Sequence, residues 1–272
     1  MWFIVPIVSF LMLFLITLWL IAPRRHRNTA PFDRVLYAHR GLHDNEKQRP
    51  ENSSAAFRAA KEAGYGVELD IRFTSDHQIV VFHDDDLKRM CGDPRRVDAC
   101  TYAELQDLRL LDTDERIPLF SDVLKDLDGA PLLCEFKAMS SHTDTTLCAA
   151  ALPLLDSYKG PVCMESFNPF MVRWFRHNAP QYIRGILSKK FVKGEVSPWL
   201  RFPLASLFTN LLCRPDFIAY QHTDWRQPFF CICRLFRPMT VAWTVRSHTE
   251  ENEAMRHFDT IIFEGYCPTE KD

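Results

Sequence analysis

The segment Val67-Glu68-Leu69-Asp70-Ile71 alternates apolar and acidic residues, a pattern typical of a β-strand whose two faces meet different surroundings. The three apolar side chains would pack against helices on one side of the sheet. Glu68 and Asp70, two positions apart, would both point to the opposite side. The segment therefore predicts a buried strand that carries two carboxylates on one face.

Other short runs rich in β-branched residues predict further strands, separated by helical patterns. The predicted strands are Val35–His39, Val67–Ile71, Ile79–Phe82, Leu132–Phe136, Val162–Ser166, Tyr182–Leu187, Asp216–Tyr220, Thr240–Val245 and Thr260–Phe263. The predicted helices are Ser53–Gly64, Thr101–Leu108, Ser121–Leu127, Thr143–Leu155, Pro169–His177 and Glu250–His257. Alternating strands and helices indicate an α/β fold with parallel strands.

One connection is too short for a parallel crossover, which needs a dozen residues or more. Only Arg72–Gln78 joins the second predicted strand to Ile79–Phe82, so that strand is expected to be an antiparallel hairpin partner. The remaining eight strands predict a TIM (β/α)8 barrel. An open doubly wound sheet is the alternative, although no Gly-x-Gly-x-x-Gly motif or P-loop follows any strand.

The first 22 residues contain no ionisable side chain. As a helix they would span about 33 Å, which predicts a transmembrane anchor. A cleaved secretory signal is disfavoured, because no Lys or Arg precedes the apolar run and Ala22-Pro23 is a poor cleavage site. Arg24, Arg25 and Arg27 follow, which places the next segment in the cytoplasm. We therefore expect an anchor over 1–22, a linker over 23–33 and a cytoplasmic catalytic domain over 34–272.

Composition excludes several other classes of protein. A hydrophobic content of 47% and a net charge of −2 exclude a disordered chain. Because 33 basic residues are offset by 35 acidic ones, nucleic-acid binding is not expected. The nine cysteines are odd in number, and several lie in apolar runs, which indicates reduced core thiols rather than disulfides or a zinc site.

The apolar runs Trp199–Cys213 and Phe229–Met239 are interpreted as helices covering the barrel, with lipid contact as the alternative.

Acidic side chains on two predicted strands suggest a metal site. Glu135 lies on the strand after the hairpin, and the carboxyl ends of parallel strands meet at one rim. Glu68, Asp70 and Glu135 would repel one another unless a positive charge lay between them. A divalent cation satisfies this requirement, and all-oxygen ligands favour Mg²⁺ or Ca²⁺ over Zn²⁺.

Histidines and basic residues end strands at the same rim. His39 and His83 could supply a base and an acid near neutral pH. Arg40 and Lys137 add positive charge suited to a phosphate group. His43 has no partner pattern and is interpreted as a surface residue.

The order and spacing of four motifs resemble the glycerophosphodiester phosphodiesterase family of phosphatidylinositol-phospholipase-C-like barrels. These motifs are His39-Arg40-Gly41, Pro50-Glu51-Asn52-Ser53, Glu68-Leu69-Asp70 and His83-Asp84, and Glu135-Phe136-Lys137, Ser166-Phe167 and Trp243-Thr244-Val245 are similar farther along. The resemblance implies metal ligands at Glu68, Asp70 and Glu135, an acid–base pair at His39 and His83, and phosphate contacts from Arg40 and Lys137. It also implies supporting roles for Glu51 and Asn52 and a pocket wall that includes Ser166, Phe167 and Trp243.

One segment departs from that family's pattern. The family usually closes with a Thr-Asp-x-Pro-type segment, whereas this chain has Phe263-Glu264-Gly265-Tyr266-Cys267-Pro268. We therefore expect a different pocket shape on that side.

The resemblance implies metal-dependent hydrolysis of glycerophosphodiesters to sn-glycerol 3-phosphate and an alcohol. One alternative is a membrane-anchored lysophospholipase D acting on lysophospholipids. Another is an inactive barrel that serves as a binding protein, which the intact motifs disfavour. The expected partners are a small diester substrate and, through residues 1–22, a lipid bilayer. The headgroup, the ion preferred and the oligomeric state stay open.

Overall fold

A computed structural model describes residues 4–24, 29, 31–32, 34–46, 48–138 and 143–268. The strands are β1 Tyr37–Ala38, β2 Gly66–Phe73, β3 Ile79–Val81, β4 Leu132–Phe136, β5 Val162–Ser166, β6 Ile183–Ser188, β7 Phe217–Gln221, β8 Met239–Val245 and β9 Thr260–Phe263. The helices are α1 Ile4–Ile21, α2 Ser54–Glu62, α3 Lys88–Cys91, α4 Tyr102–Leu105, α5 Phe120–Leu127, α6 Thr146–Ser157, α7 Pro169–Asn178, α8 Pro198–Ala205, α9 Asn210–Cys213, α10 Pro228–Arg234 and α11 His248–Ala254.

Eight parallel strands close into a barrel. The sheet runs β1-β9-β8-β7-β6-β5-β4-β2, and β1 pairs with β2 to complete the ring. The ninth strand, β3, pairs antiparallel to β2 outside the ring. The prediction of a TIM barrel with an extra hairpin strand is therefore confirmed.

Side-chain alternation separates an inner core from an outer one, as the pattern of the second strand predicts. Val67, Leu69 and Ile71 are fully buried in the outer core, which includes buried residues of α2, α5, α6 and α7. The interior of the barrel is filled by a second cluster that includes Tyr37 and Phe217. Glu68 and Asp70 consequently face the barrel interior, since neighbouring positions on a strand point to opposite sides.

The apolar N-terminal segment forms α1, whose side chains from Val5 to Ile16 are all exposed. Only the end of this helix packs on the barrel. Ile21 is fully buried beside α9 and α10, and its carbonyl accepts hydrogen bonds from Asn210 Nδ2 at 2.8 Å and Cys233 Sγ at 3.3 Å. Arg214 Nη1 donates to the carbonyls of Trp19 and Ala22, which satisfies groups that a helix end leaves unpaired.

In the part of the chain that the structure describes, no helix combines the length and the apolar character needed to cross a membrane. The predicted transmembrane anchor is therefore not confirmed. Arg25, Arg27 and most of the predicted linker lie outside the described residues.

Candidate active site

Three buried carboxylates converge on the barrel interior from two neighbouring strands. Asp70 on β2 and Glu135 on β4 are direct partners in the sheet register, and Glu68 lies two residues before Asp70. One oxygen of each of the three carboxylates lies within 4.8 Å of the others. The structure thus brings together the three residues that the sequence selects as metal ligands.

The electrostatics of this carboxylate triad reflect its burial. Burial and the charges of Asp70 and Glu135 raise the pKa of Glu68 well above its usual range. Burial also raises the pKa of Glu135. Asp70 is the exception, because its pKa is held well below the usual range by Lys137, His83 and Arg40 despite burial. The cluster therefore carries negative charge that depends on nearby cations.

Two cations contact the triad directly. Lys137 Nζ lies 2.8 Å from Asp70 Oδ1 and 2.7 Å from Glu135 Oε1. The backbone N–H of Arg40 donates to Glu68 Oε2 at 2.9 Å, and its guanidinium Nε lies 3.5 Å from Asp70 Oδ2. The predicted phosphate-binding residues thus lie at the triad and neutralise it in part.

Asn52 fixes the orientation of Asp70. Its side-chain Nδ2 donates to Asp70 Oδ2 at 2.8 Å, and the residue is buried. Its backbone N–H donates to the carbonyl of Arg40, which joins the loop after β1 to the segment before α2. The supporting role implied for Asn52 corresponds to this contact.

His39 lies at the end of β1 with its imidazole held by a carboxylate. Its Nδ1 lies 2.9 Å from Glu264 Oε2, and its Nε2 lies 4.0 Å from Glu68 Oε2. Burial lowers the pKa of His39 to about 4, although Glu264 opposes this shift. The hydrogen bond to His39 lowers the pKa of Glu264 to about 2, so this carboxylate is ionised at neutral pH.

The sequence analysis does not select Glu264 as a site residue, although it identifies segment 263–268 as a departure from the family pattern. The position of Glu264, directly after the last barrel strand, is the feature from which a site role could have been predicted. The interpretation of His43 as a surface residue is wrong. Its side chain is 9% exposed, and its Nε2 lies 4.0 Å from Glu264 Oε1. The sequence pattern does not show this burial, because the contact joins residues that are far apart in the chain.

His83 follows β3 and has its own carboxylate partner. Its Nδ1 lies 2.7 Å from Asp84 Oδ1. Arg72 Nη2 donates to the carbonyl of His83 at 2.7 Å, so β2 fixes the backbone of the histidine. Both histidines therefore engage a carboxylate through Nδ1.

A charged network ties His83 to the loop after β1. Arg89 Nε donates to Asp84 Oδ2 at 2.7 Å, and its two terminal nitrogens donate to both oxygens of Glu51. Glu51 also accepts from Arg40 Nη1 at 2.6 Å. Although burial opposes it, the pairing with Arg89 and Arg40 lowers the pKa of Glu51 to about 2. Arg89 was missed because it lies in the segment after the hairpin, outside every strand.

The residues implied as a pocket wall divide into two kinds. Ser166 is buried, and its hydroxyl donates to the carbonyl of Phe136 at 2.7 Å. Phe167 packs edge-to-face on Trp243 with ring centroids 5.5 Å apart, and Phe191 joins the same wall. Ser166 thus holds neighbouring strands together, whereas Phe167 and Trp243 offer an aromatic surface.

Glu165 is a fourth buried carboxylate that sequence reasoning missed. It is the direct partner of Glu135 in the register of β4 and β5. Burial, together with the charges of Glu68 and Glu135, raises its pKa well above the usual range. The signal was an isolated acid in the apolar strand Val162–Ser166, at the level of Glu135.

The residues present fit a divalent cation. The donor set is three buried carboxylates with all-oxygen chemistry, which suits Mg²⁺ or Ca²⁺. Buried carboxylates at this spacing need cationic compensation, and the two cations beside them supply only part of it.

Comparison with known proteins gives concordant matches. The profile of the Glycerophosphoryl diester phosphodiesterase family matches residues 39–206. A Caldanaerobacter subterraneus protein named Glycerophosphodiester phosphodiesterase is 29% identical over 180 residues, which cover 61% of this chain and 70% of that protein. Human Lysophospholipase D GDPD1 is 35% identical over 100 residues, which cover 32% of this chain and 32% of that protein.

Solved structures show the same fold. A phosphodiesterase from Oleispira antarctica, in complex with the product sn-glycerol-3-phosphate, matches with a TM-score of 0.69 at 21% identity. The match covers 86% of this chain and 94% of that one. A glycerophosphodiester phosphodiesterase from Thermotoga maritima matches with a TM-score of 0.65 at 24% identity, covering 85% and 94% of the two chains.

Proposed function

Because this chain belongs to the glycerophosphoryl diester phosphodiesterase family and is an enzyme of that family, we propose that it hydrolyses glycerophosphodiesters to sn-glycerol 3-phosphate and an alcohol in a metal-dependent reaction. The observation that carries the proposal is the convergence of Glu68, Asp70 and Glu135 at the rim where both histidines lie. A divalent cation held by those carboxylates would supply a Lewis acid that polarises the phosphate. Turnover measured with each ion in turn decides between Mg²⁺ and Ca²⁺.

The two histidines would move the protons. In both, Nδ1 faces a carboxylate, which leaves Nε2 for the substrate. His39 is neutral at neutral pH because burial lowers its pKa, so it can accept a proton from the attacking hydroxyl group. His83, whose side chain is 34% exposed, would give a proton to the departing alkoxide. The attacking group is water or a neighbouring hydroxyl of the substrate.

The basic side chains would act on the phosphate. Arg40 and Lys137 lie beside the carboxylates and would stabilise the charge that develops on the phosphate oxygens. Phe167 and Trp243 would exclude water on one side and contact the alcohol portion. Hydrolysis of one diester consumes one water molecule and yields one phosphate monoester and one free alcohol.

The test is turnover of a small panel of glycerophosphodiesters with and without a chelator. We expect His39→Gln and His83→Gln each to lower kcat by at least about a hundredfold, as loss of general acid–base catalysis does. His177→Gln, on the exposed surface of α7, is the matched control and should retain wild-type turnover. Turnover by either site variant near the wild-type rate would overturn the acid–base assignment. Preference for lysophospholipid over its deacylated diester would instead favour a lysophospholipase D.

We also propose that the protein associates with a lipid bilayer through α1, with the barrel on the cytoplasmic side. The support is the exposure of large apolar side chains along this helix, such as Phe10 at 73% and Leu13 at 64%. Fractionation of the full chain tests the proposal. We expect it in the membrane pellet after carbonate washing, and Phe10→Glu/Leu13→Glu should shift it to the supernatant. Recovery of the wild type in the supernatant would overturn the association.

A further inference from the structure

A surface cavity of about 540 Å³ lies at the end of the barrel opposite the histidines. It is bounded by the end of α10, the turn that enters β8, and the turn between α11 and β9. These turns precede the N-terminal ends of their strands, whereas His39 follows the C-terminal end of β1. The cavity is therefore separate from the proposed catalytic centre. The polar residues in its lining include Thr29, Arg234, Arg237, Arg256, His257 and Asp259.

The lining carries excess positive charge. Among the described residues, no carboxylate forms an ion pair with Arg234, Arg237 or Arg256. The acidic residue in the lining is already engaged, because Asp259 Oδ2 accepts from the backbone N–H and the hydroxyl of Thr240 at 2.7 and 2.8 Å. Guanidinium groups bind phosphate oxygens in a forked geometry, so three of them around one cavity suit a phosphate.

Exposed apolar residues border these arginines. Leu235 is 77% exposed and Phe236 is 40% exposed, and they lie between Arg234 and Arg237 in the chain. Apolar side chains interleaved with cations are typical of segments that lie at an anionic lipid surface. A site for a free soluble anion would not need this apolar border.

The cavity also adjoins the point where α1 leaves the barrel. The residue before Arg234 is Cys233, whose Sγ donates to the carbonyl of Ile21 at the end of α1. The lining residue Arg234 is thus adjacent in the chain to a residue that contacts the end of α1. If α1 enters lipid as proposed above, this end of the barrel is at headgroup level.

We propose that this cavity binds the phosphate of an anionic lipid headgroup and seats the base of the barrel on the bilayer. The identification of the ligand as a lipid rests on the proposed association of α1 with a bilayer; the affinity for phosphate does not. In this arrangement the histidine-bearing mouth faces away from the membrane, toward soluble diesters. In this arrangement Leu235 and Phe236 would contact lipid, which is the alternative interpretation of the run Phe229–Met239.

Thermal unfolding of the full chain in lipid nanodiscs tests the proposal. Discs of phosphatidylcholine alone are compared with discs that contain phosphatidylglycerol, and inorganic phosphate is added to the former at matched ionic strength. Because a ligand that binds only the folded state stabilises it, we expect phosphatidylglycerol to raise Tm by about 2 °C or more. Arg234→Gln/Arg237→Gln should abolish this rise. Arg173→Gln, which removes an exposed charge on α7, should retain it.

The outcomes separate the sources of the phosphate and the two proposals. An equal rise with inorganic phosphate, lost in the double variant, would support the cavity as a phosphate site and overturn the lipid assignment. No rise with either ligand, or the same rise in the double variant, would overturn the site itself. Turnover of glycerophosphocholine is measured in parallel and should be unchanged in the double variant. If the wild type itself does not turn over glycerophosphocholine, the proposed enzymatic function is contradicted and the cavity proposal is unaffected.

Discussion

Replacement of Glu264 by Gln tests how the site controls His39. The carboxylate lies 2.9 Å from Nδ1 and is 25% exposed, so Gln fits the same space without disturbing the core. In the proposed mechanism His39 accepts a proton through Nε2, and the imidazolium would then gain a charge-assisted hydrogen bond to Glu264. Such a bond is worth about 1.5–3 kcal/mol, so losing it should lower kcat roughly 10- to 150-fold.

The effect should fall on kcat and leave KM nearly unchanged, because the charge on His39 develops only during the reaction. Arg246→Gln is the matched control. Arg246 Nη2 donates to the same oxygen of Glu264 at 3.1 Å, yet its side chain is 59% exposed, so its loss should change kcat by no more than about threefold.

The assay is steady-state turnover of glycerophosphocholine with saturating metal, and thermal unfolding confirms that each variant is folded. Retention of kcat within twofold of the wild type by Glu264→Gln would refute the stabilisation of the His39 imidazolium by Glu264. A rise in KM with unchanged kcat would refute it too, since that result would place Glu264 in substrate binding.

Three further predictions concern the metal site and the network beside it. Chelation should abolish turnover, and Mg²⁺ or Ca²⁺ should restore it; full activity after exhaustive chelation, with metal content checked by mass spectrometry, would contradict metal dependence. Glu51→Gln should lower the free energy of unfolding by roughly 3 kcal/mol at pH 7, because the pKa of Glu51 falls from 4.5 to about 2 in the folded state. This stabilisation is complete above pH 4.5 and is lost as the pH falls toward 2, so urea titrations of both proteins should converge there. Lys137→Met should enlarge the rise in Tm on adding Mg²⁺, because Asp70 and Glu135 lose the ammonium group that neutralises them; an unchanged rise in differential scanning fluorimetry would contradict this neutralising role.

The strands could be predicted because their signals are local. The bounds Leu132–Phe136, Val162–Ser166 and Thr260–Phe263 agree between sequence and structure, since each is a compact apolar run between turns. The strand predicted over Val35–His39 is shorter in the structure, where only Tyr37–Ala38 pair with both neighbours. Leu36 and His39 on either side each keep a backbone hydrogen bond, from Gly66 N–H to the carbonyl of Leu36 and from His39 N–H to the carbonyl of Phe263. The next residue, Arg40, adopts a positive φ of 55°, so the extended conformation ends there.

The triad could be predicted for the same reason, since alternation along a strand fixes which side chains share a face. The residues that contact the histidines and their neighbours could not be predicted from the sequence. Glu264 is 225 residues from His39 in the chain, and no local pattern joins them. Arg89 binds Glu51 across 38 residues, from a short helix whose position depends on how the hairpin packs. Closure of the barrel between β1 and β9 creates the first contact, and packing of the hairpin creates the second, so both depend on tertiary geometry.

The extra strand gives the barrel a second histidine at its mouth. A regular barrel would continue from β2 directly to a helix, but here the chain reverses and β3 runs back along β2. Arg72 on β2 binds the carbonyls of Phe82 and His83, so the excursion is fixed by the strand that carries Asp70. The same excursion supplies Arg89, which returns to Glu51 beside the first histidine. The hairpin thus contributes to the candidate site, because it carries His83 and because Arg72 on β2 fixes the backbone of that histidine.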